Sequence, residues 1–227
     1  MPKLIKLNPD LLRDSIVELR FQTHFPQEFL VGSVFKKLED IGYNHIVPLK
    51  TPPNIFNIQV ENIFSNGTVS LKFQPGRIVF NKTKNYPLWG VYFKEIEKVL
   101  NVINYESLSI NRVGIRYINE FQDTNIFNNL KDSLDINFSS YKTQSTNLKT
   151  EVLDKNFRIV INVGNGFIDN ERSISLLDID VISEIQVENQ SLEDLLRKID
   201  VCHSKEKEIF ENLLNKDYLE SLKPEYE

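Results

Sequence analysis

Two turn signals divide a series of apolar segments in the first half of the chain. Asn66-Gly67 and Pro75-Gly76 favour tight turns, because Asn and Gly tolerate positive φ angles and Pro presets the φ angle of a turn. The apolar segments before and beside these turns are 45–50, 55–63, 68–74 and 77–82. Short apolar segments separated by tight turns predict an antiparallel meander, so we expect an antiparallel sheet to dominate the fold.

A strand and two helices flank this meander. Residues 14–22 alternate between two faces with a period of two, which predicts a half-buried strand. After Pro26, apolar residues recur every three or four positions up to Gly42, as they do in an amphipathic helix. A second stripe of this kind follows Pro87. The first half is therefore predicted to run strand, helix, meander, helix.

The second half follows a similar order. We expect a strand at 107–121, a short helix at 125–134, strands at 145–153, 156–164 and 173–188, and a final helix from Ser191 that restarts after Ser204. Residues 17–21 and 113–117 share the pattern Val, any residue, aliphatic, Arg, aromatic. The pattern suggests a duplication with related halves at 14–103 and 106–222, and chance similarity between two strands is the alternative.

These elements predict the α+β class. We expect residues 1–227 to form a single domain with a curved antiparallel sheet and helices packed on its apolar face. The residues expected in the core are Leu19, Phe21, Phe35, Leu38, Phe93, Ile115, Tyr117, Ile159, Ile161 and Ile179.

Composition and charge exclude several classes of protein. The chain has 227 residues, a net charge of −5 and a pI of about 5.4, which disfavours binding to duplex nucleic acid. Its single cysteine, Cys202, excludes an internal disulfide, and three histidines leave little material for a zinc site. No apolar run approaches the length of a membrane span or of a signal peptide core. We therefore expect a cytoplasmic protein without a cofactor or a membrane contact.

Four segments carry a family resemblance. They are Asn8–Leu12, Ser15–Phe21, Tyr86–Trp89 and Arg112–Asn119. In these segments, which are spread over most of the chain, the sequence resembles a sporadically distributed bacterial family of uncharacterised proteins. The resemblance implies no activity and no site residues. The patchy distribution of that family implies an accessory gene, such as one in an anti-phage defence operon.

Four arginines lie on strand positions of the polar face. Arg20, Arg112 and Arg116 share the polar parity of their strands, as does Arg158. The planar guanidinium binds carboxylates and phosphates through two parallel hydrogen bonds, so these residues are candidate ligands for an anion. The alternative, which we favour, is that they form salt bridges with acidic strands.

Four acidic residues, Asp178, Asp180, Glu184 and Glu188, share one face of the strand at 173–188. Asp178 and Asp180 lie two residues apart, about 7 Å along a strand, and two carboxylates at this distance can share a divalent cation. An ordinary polar face is the favoured alternative. If the strands at 156–164 and 173–188 form a hairpin, Arg158 must face an even-numbered residue, and we expect this to be Asp178 or Asp180.

Other possible motifs are weaker. Cys202 and His203 are neighbours on a helix and point in different directions, so we expect a buried thiol beside an exposed imidazole rather than a catalytic pair. Gly164-Asn165-Gly166 lacks the lysine of a phosphate-binding loop and is expected to form a hairpin turn. Gly114, inside a strand, predicts a bulge or a close approach of two backbones.

The pattern as a whole favours a binding or adaptor protein over an enzyme. Residues 111–227 carry a charge of −8, so the expected partner is a protein with a basic contact surface. A second expected contact is a set of exposed aromatic residues in and beside the irregular stretch at 122–143, namely Phe121, Phe127 and Phe138. The alternative is an enzyme or sensor that acts on a phosphorylated small molecule or a nucleic-acid end at the arginine-lined face. The sequence leaves the oligomeric state open.

Overall fold

A computed structural model describes residues 4–46, 62–103, 108–132, 144–169, 171–185 and 191–226. The strands are β1 (Leu4–Lys6), β2 (Leu12–Gln22), β3 (Asn44–Ile46), β4 (Asn62–Ser65), β5 (Ser70–Gln74), β6 (Arg77–Thr83), β7 (Ser109–Gln122), β8 (Thr146–Asp154), β9 (Phe157–Asp169), β10 (Arg172–Glu184) and β11 (Glu225–Tyr226). The helices are α1 (Gln27–Asp40), α2 (Trp89–Val102), α3 (Leu192–Leu213) and α4 (Lys216–Ser221), with a 3₁₀ helix at Ile126–Asn129. The α+β class is confirmed.

The main sheet is antiparallel. In the described part of the chain it has nine strands in the order β3-β4-β5-β6-β2-β7-β10-β9-β8, and β1 pairs with β11 in a separate ribbon. The first strand of each half, β2 or β7, lies beside the last strand of its own meander, β6 or β10. The two first strands pair with each other at the centre of the sheet. The proposed duplication stays a prediction, which a superposition of the two halves would test.

The core lies on one face of this sheet. Odd-numbered residues of the central strands, such as Val17, Ile115 and Ile179, are fully buried together with the apolar stripes of α1, α2 and α3. Even-numbered residues of the same strands form the opposite, polar face. Phe35, Phe93 and Ile161, which were expected in the core, are only partly buried and pack against its margin, whereas the other seven residues expected there are buried.

The predicted meander is present at the two turn signals. The β4–β5 turn contains Gly67 at φ +82°, and the β5–β6 turn contains Gly76 at φ +68°. Both angles favour glycine, because a Cβ atom is strained in this region. The proposed apolar segments at 47–50 and 55–61 lie outside the described residues.

Three expectations about local structure are wrong. Gly164-Asn165-Gly166 lies inside β9, and the chain reverses near residue 171 instead. The final helix runs through Ser204 without a restart, because its apolar stripe continues to Phe210. Of the helix expected at 125–134, the described residues up to 132 contain only the 3₁₀ helix at Ile126–Asn129.

The aromatic contact surface expected at 122–143 is also wrong where it is described. Phe121 and Phe127 are buried in the core rather than exposed. Phe121 packs against Tyr218, so it is held by the C-terminal helix α4. Phe138 lies outside the described residues.

The N-terminus of α3 provides the first testable prediction. The side chain of Ser191 accepts a hydrogen bond of 3.1 Å from the backbone N–H of Asp194, which is the expected capping interaction. Ser191→Ala should therefore lower the free energy of unfolding by about 1 kcal/mol, as measured by urea denaturation. Ser204→Ala, inside the helix, is the control and should cause no loss because Ala is the better helix former. An equal loss in both variants would contradict the role of the cap.

Candidate functional site

Three arginines lie side by side on the polar face of the sheet. Arg20 of β2 is directly opposite Arg77 of β6 on one side and Arg112 of β7 on the other. Neighbouring strands are about 4.8 Å apart, so the row of Arg77, Arg20 and Arg112 extends about 10 Å across the sheet. We call these residues the arginine row. Like charges that face each other on neighbouring strands destabilise a sheet, so this arrangement needs compensating anions.

Glu18 compensates two of the three arginines. The Nε atom of Arg20 donates to Oε1 of Glu18 at 2.8 Å, and Nη1 of Arg77 lies 3.6 Å from Oε2. Glu18 precedes Arg20 by two residues on the same strand, and the period of two places both side chains on the polar face. One carboxylate is thus shared between two guanidinium groups.

Arg112 is the arginine of the row that Glu18 does not neutralise. It forms no ion pair within the part of the chain that the structure describes, and its Nε atom is buried there without a hydrogen-bond partner. Burial, and secondarily the charge of Arg20, lower the pKa of Arg112 below its ordinary value. Glu184 lies directly opposite Arg112 on β10 but forms no ion pair with it. Glu18 and Asp180 act in the opposite direction, so the guanidinium of Arg112 is partly desolvated near two carboxylates but forms a direct ion pair with neither of them.

Arg116 is neutralised. Its Nε and Nη2 atoms donate to Oδ1 and Oδ2 of Asp178, each at 2.8 Å, in the two-bond geometry of a strong ion pair. The side chain of Asn162 donates a third hydrogen bond to Asp178 at 3.1 Å. These hydrogen bonds, which Arg116 donates to Asp178, raise the pKa of Arg116. Arg116 and Asp178 therefore form a structural pair on the polar face.

Asp180 occupies the space that Gly114 leaves open. A Cβ atom at Gly114 would lie 3.7 Å from Oδ1 of Asp180 and 3.9 Å from the side chain of Glu18. The pairing on both sides of Gly114 is regular, so the bulge, one of the two expected alternatives, is absent here, and the backbone oxygen of Glu18 also lies 3.9 Å from this Cβ position. Burial raises the pKa of Asp180 to about 6, although Arg112 and Arg116 act in the opposite direction. Within the described residues there is no cluster of three or more His, Cys, Asp or Glu side chains that fits a metal ion.

Arg158 lies at a different position from the one expected. The β9–β10 hairpin has the predicted even register, because Ile179 faces Ile161, but Arg158 faces Ile182 rather than Asp178 or Asp180. Its Nη1 atom lies 3.4 Å from Oε1 of Glu151 on β8. The register was right and the partner was wrong, because parity alone does not fix how far one strand is shifted along the other.

A second group of polar residues lies inside the core and was missed. His203 is fully buried, which contradicts the expected exposure, and its ring stacks on Trp89 with centroids 3.8 Å apart. Its Nδ1 atom is 2.9 Å from the hydroxyl of Tyr117, which is 2.9 Å from the hydroxyl of Tyr86. Glu206, one turn further along α3, is also buried. A signal was present, since Glu206 lies on the helical stripe that contains Cys202 and Phe210.

Comparisons with known proteins do not assign the chain to a family. No family model and no curated protein matches its sequence. None of the helices in the described residues is both long and apolar enough to span a membrane. The geometry of the two polar clusters is therefore what bears on function.

Proposed function

We propose that this protein is a non-enzymatic binding protein that recognises a phosphorylated ligand at the arginine row. The observation that carries the proposal is Arg112, a partly buried guanidinium without an ion pair in the described residues. A desolvated charge is costly unless an opposite charge compensates it, so an anion that visits this position stabilises the protein.

The charge of the row favours a phosphoryl group over a carboxylate. Three arginines and Glu18 leave a surplus of two positive charges, which the nearby Asp180 reduces, while Arg158 is already paired with Glu151. A phosphate monoester carries a charge of about −1.5 to −2 at neutral pH and three acceptor oxygens that several guanidinium groups can share, whereas a carboxylate carries one charge on two oxygens. Guanidinium groups also bind phosphate oxygens through two parallel hydrogen bonds.

Calorimetry with pyrophosphate tests this proposal. Pyrophosphate presents two adjacent phosphoryl groups to the extended row, and we expect the wild-type protein to bind it. Arg112→Gln should weaken binding at least 10-fold, whereas Arg197→Gln, an exposed arginine on α3 that pairs with Glu193 and Asp194, should leave it unchanged. The affinity should also fall as salt increases, because the interaction is between charges.

Two results would overturn the proposal. One is the absence of heat from the wild-type protein with pyrophosphate, and the other is equal affinity in the wild type and Arg112→Gln. Arg116→Gln provides a further comparison. Because Arg116 is already paired with Asp178, its replacement should affect pyrophosphate binding less than the replacement of Arg112 does.

A second candidate function is that of an adaptor that binds a partner protein along β8. This strand of nine residues lies at one edge of the sheet, and Leu148, Val152 and Leu153 are exposed on it, Leu153 by 79%. Exposed edge strands are templates for the addition of a partner's strand. Hydrogen exchange of the protein purified with and without its partner should then show protection of the β8 amides in the complex. Protection confined to other segments would contradict this function.

A further inference from the structure

A cavity of about 160 Å³ lies on the helix side of the sheet, opposite the arginine row. Its walls come from β1, the segment after β1, β7, the loop before α2, and α3. Most of the lining is apolar, with Leu4, Leu7, Leu11 and Phe210 among its residues. An apolar cavity of about 150 Å³ can hold a benzene molecule. This cavity therefore has room for a ligand with about one aromatic ring.

One carboxyl group in the wall is available to a ligand. Glu206 is 1% exposed, and its Oε1 atom has no hydrogen-bond partner in the described residues. The Nζ atom of the neighbouring Lys207 donates to the backbone carbonyls of Leu4 and Ile5. Burial raises the pKa of Glu206 to about 8, against the opposing effect of Lys207. In the empty protein at neutral pH the carboxyl is therefore mostly protonated.

Three other polar groups of the lining already form hydrogen bonds. The hydroxyls of Tyr86 and Tyr117 bond to each other, and the hydroxyl of Tyr117 also bonds to His203. A carboxylate oxygen of Asp10 accepts a hydrogen bond from the backbone of Leu12. The Oε1 atom of Glu206 is therefore the acceptor to which a ligand in the cavity would bind.

We propose that this cavity binds a small primary amine, whose ammonium group pairs with the Glu206 carboxylate while its apolar body contacts the leucines and Phe210. A cation compensates the buried carboxylate, which a neutral ligand does not do. Lys6 and Lys207 line the cavity as well as Asp10 and Glu206, so the choice of an amine rests on the buried Glu206 carboxyl and not on the net charge of the lining. The rings of Tyr86 and Tyr117 add faces that attract a cation.

Binding of such an amine must release a proton. The free ligand is an ammonium ion at neutral pH, and the free protein holds a protonated carboxyl. The complex contains an ammonium ion and a carboxylate, so close to one proton passes to the buffer for each ligand bound. A neutral ligand of the same shape would release none.

Calorimetry with benzylamine at pH 7 tests both parts of this inference. Measured in phosphate and in Tris, the binding enthalpies should differ by the amount that corresponds to the release of about one proton. Glu206→Gln keeps the shape of the side chain but holds no charge, so it should bind benzylamine at least 10-fold more weakly and without the buffer dependence. Glu208→Gln is the matched control, because Glu208 is exposed on the same helix and pairs with Lys205.

Benzyl alcohol, which lacks the cation, should bind the wild type and Glu206→Gln equally and more weakly than benzylamine binds the wild type. The inference is overturned if benzylamine produces no heat, if Glu206→Gln binds it as well as the wild type, or if benzyl alcohol binds as tightly. If Glu206→Gln does not fold, two measurements on the wild type still test the inference. They are the buffer dependence of the benzylamine binding enthalpy and the difference in affinity between benzylamine and benzyl alcohol. Because Arg112 is on the other face of the sheet, Arg112→Gln should leave benzylamine binding unchanged whichever way the pyrophosphate experiment turns out.

Discussion

Replacement of Phe64 by alanine is expected to lower the free energy of unfolding by about 3–5 kcal/mol. Phe64 lies on β4 and is completely buried. Its ring contacts Phe35 of α1 at 5.5 Å and Phe73 of β5 at 6.0 Å between centroids, and His45 of β3 at 5.1 Å. Removal of the ring therefore creates a cavity where α1 meets the outer strands of the sheet.

The matched control for this prediction is Phe29→Ala. Phe29 is on α1 and is 63% exposed, so its truncation removes little buried surface and should change the free energy of unfolding by less than about 1 kcal/mol. Urea denaturation of both variants provides the measurement. A loss below about 1 kcal/mol for Phe64→Ala would show that α1 does not pack against β4 as described.

The sheet was predictable because its signals are local. The period of two in β2 and the turn residues Gly67 and Gly76 each act within a few positions, and the structure contains the strand and both turns. Gly164-Asn165-Gly166 shows the limit of such signals. Gly166 has a φ of +78°, but it takes up this conformation within β9 rather than in a hairpin turn.

The candidate site was predictable only in part, because its chemistry depends on register. Parity correctly placed Arg20, Arg112 and Arg116 on the polar face. It did not indicate that Arg116 would pair with Asp178 or that Arg112 would have no ion pair within the described chain. Those outcomes depend on which residues face each other across three strands, which the sequence of one strand does not determine.

A comparison of the helices α2 and α3 shows how unusual the buried polar residues of α3 are. Four buried positions of α2, Tyr92, Ile96, Val99 and Leu100, each precede a buried position of α3, Leu195, Ile199, Cys202 and His203, by 103 residues. The same offset relates Ile103 to Glu206. The helix α3 thus carries an imidazole at the position that corresponds to Leu100 of α2, and a carboxyl at the position that corresponds to Ile103, which follows the end of α2. Polar side chains at buried positions lower the stability of a protein unless they are compensated. Their presence in α3 therefore favours a functional role for His203 and Glu206.

Glu206 should make the protein less stable as the pH rises from about 4.5 to about 8. Burial raises the pKa of Glu206 from its ordinary value of 4.5 to about 8 in the folded protein. Between these values the folded protein keeps the proton and the unfolded chain has lost it. The native state binds more protons there, so the free energy of unfolding falls with increasing pH. A difference of about 3.5 pKa units corresponds to a loss of roughly 4–5 kcal/mol once the pH exceeds the higher value.

Comparison with Glu206→Gln isolates this effect from the other groups that titrate. Around Glu206 lie Lys207 on the same helix, Tyr86, Tyr117 and Asp10, and all of them remain in the variant. Asp180, whose pKa is raised to about 6, contributes equally to both proteins and is removed by the subtraction. Urea denaturation at pH 5 and pH 8.5 should show the variant gaining several kcal/mol over the wild type between the two pH values. A constant difference would mean that the Glu206 carboxyl ionises as it does in water, which is incompatible with its burial beside an apolar cavity.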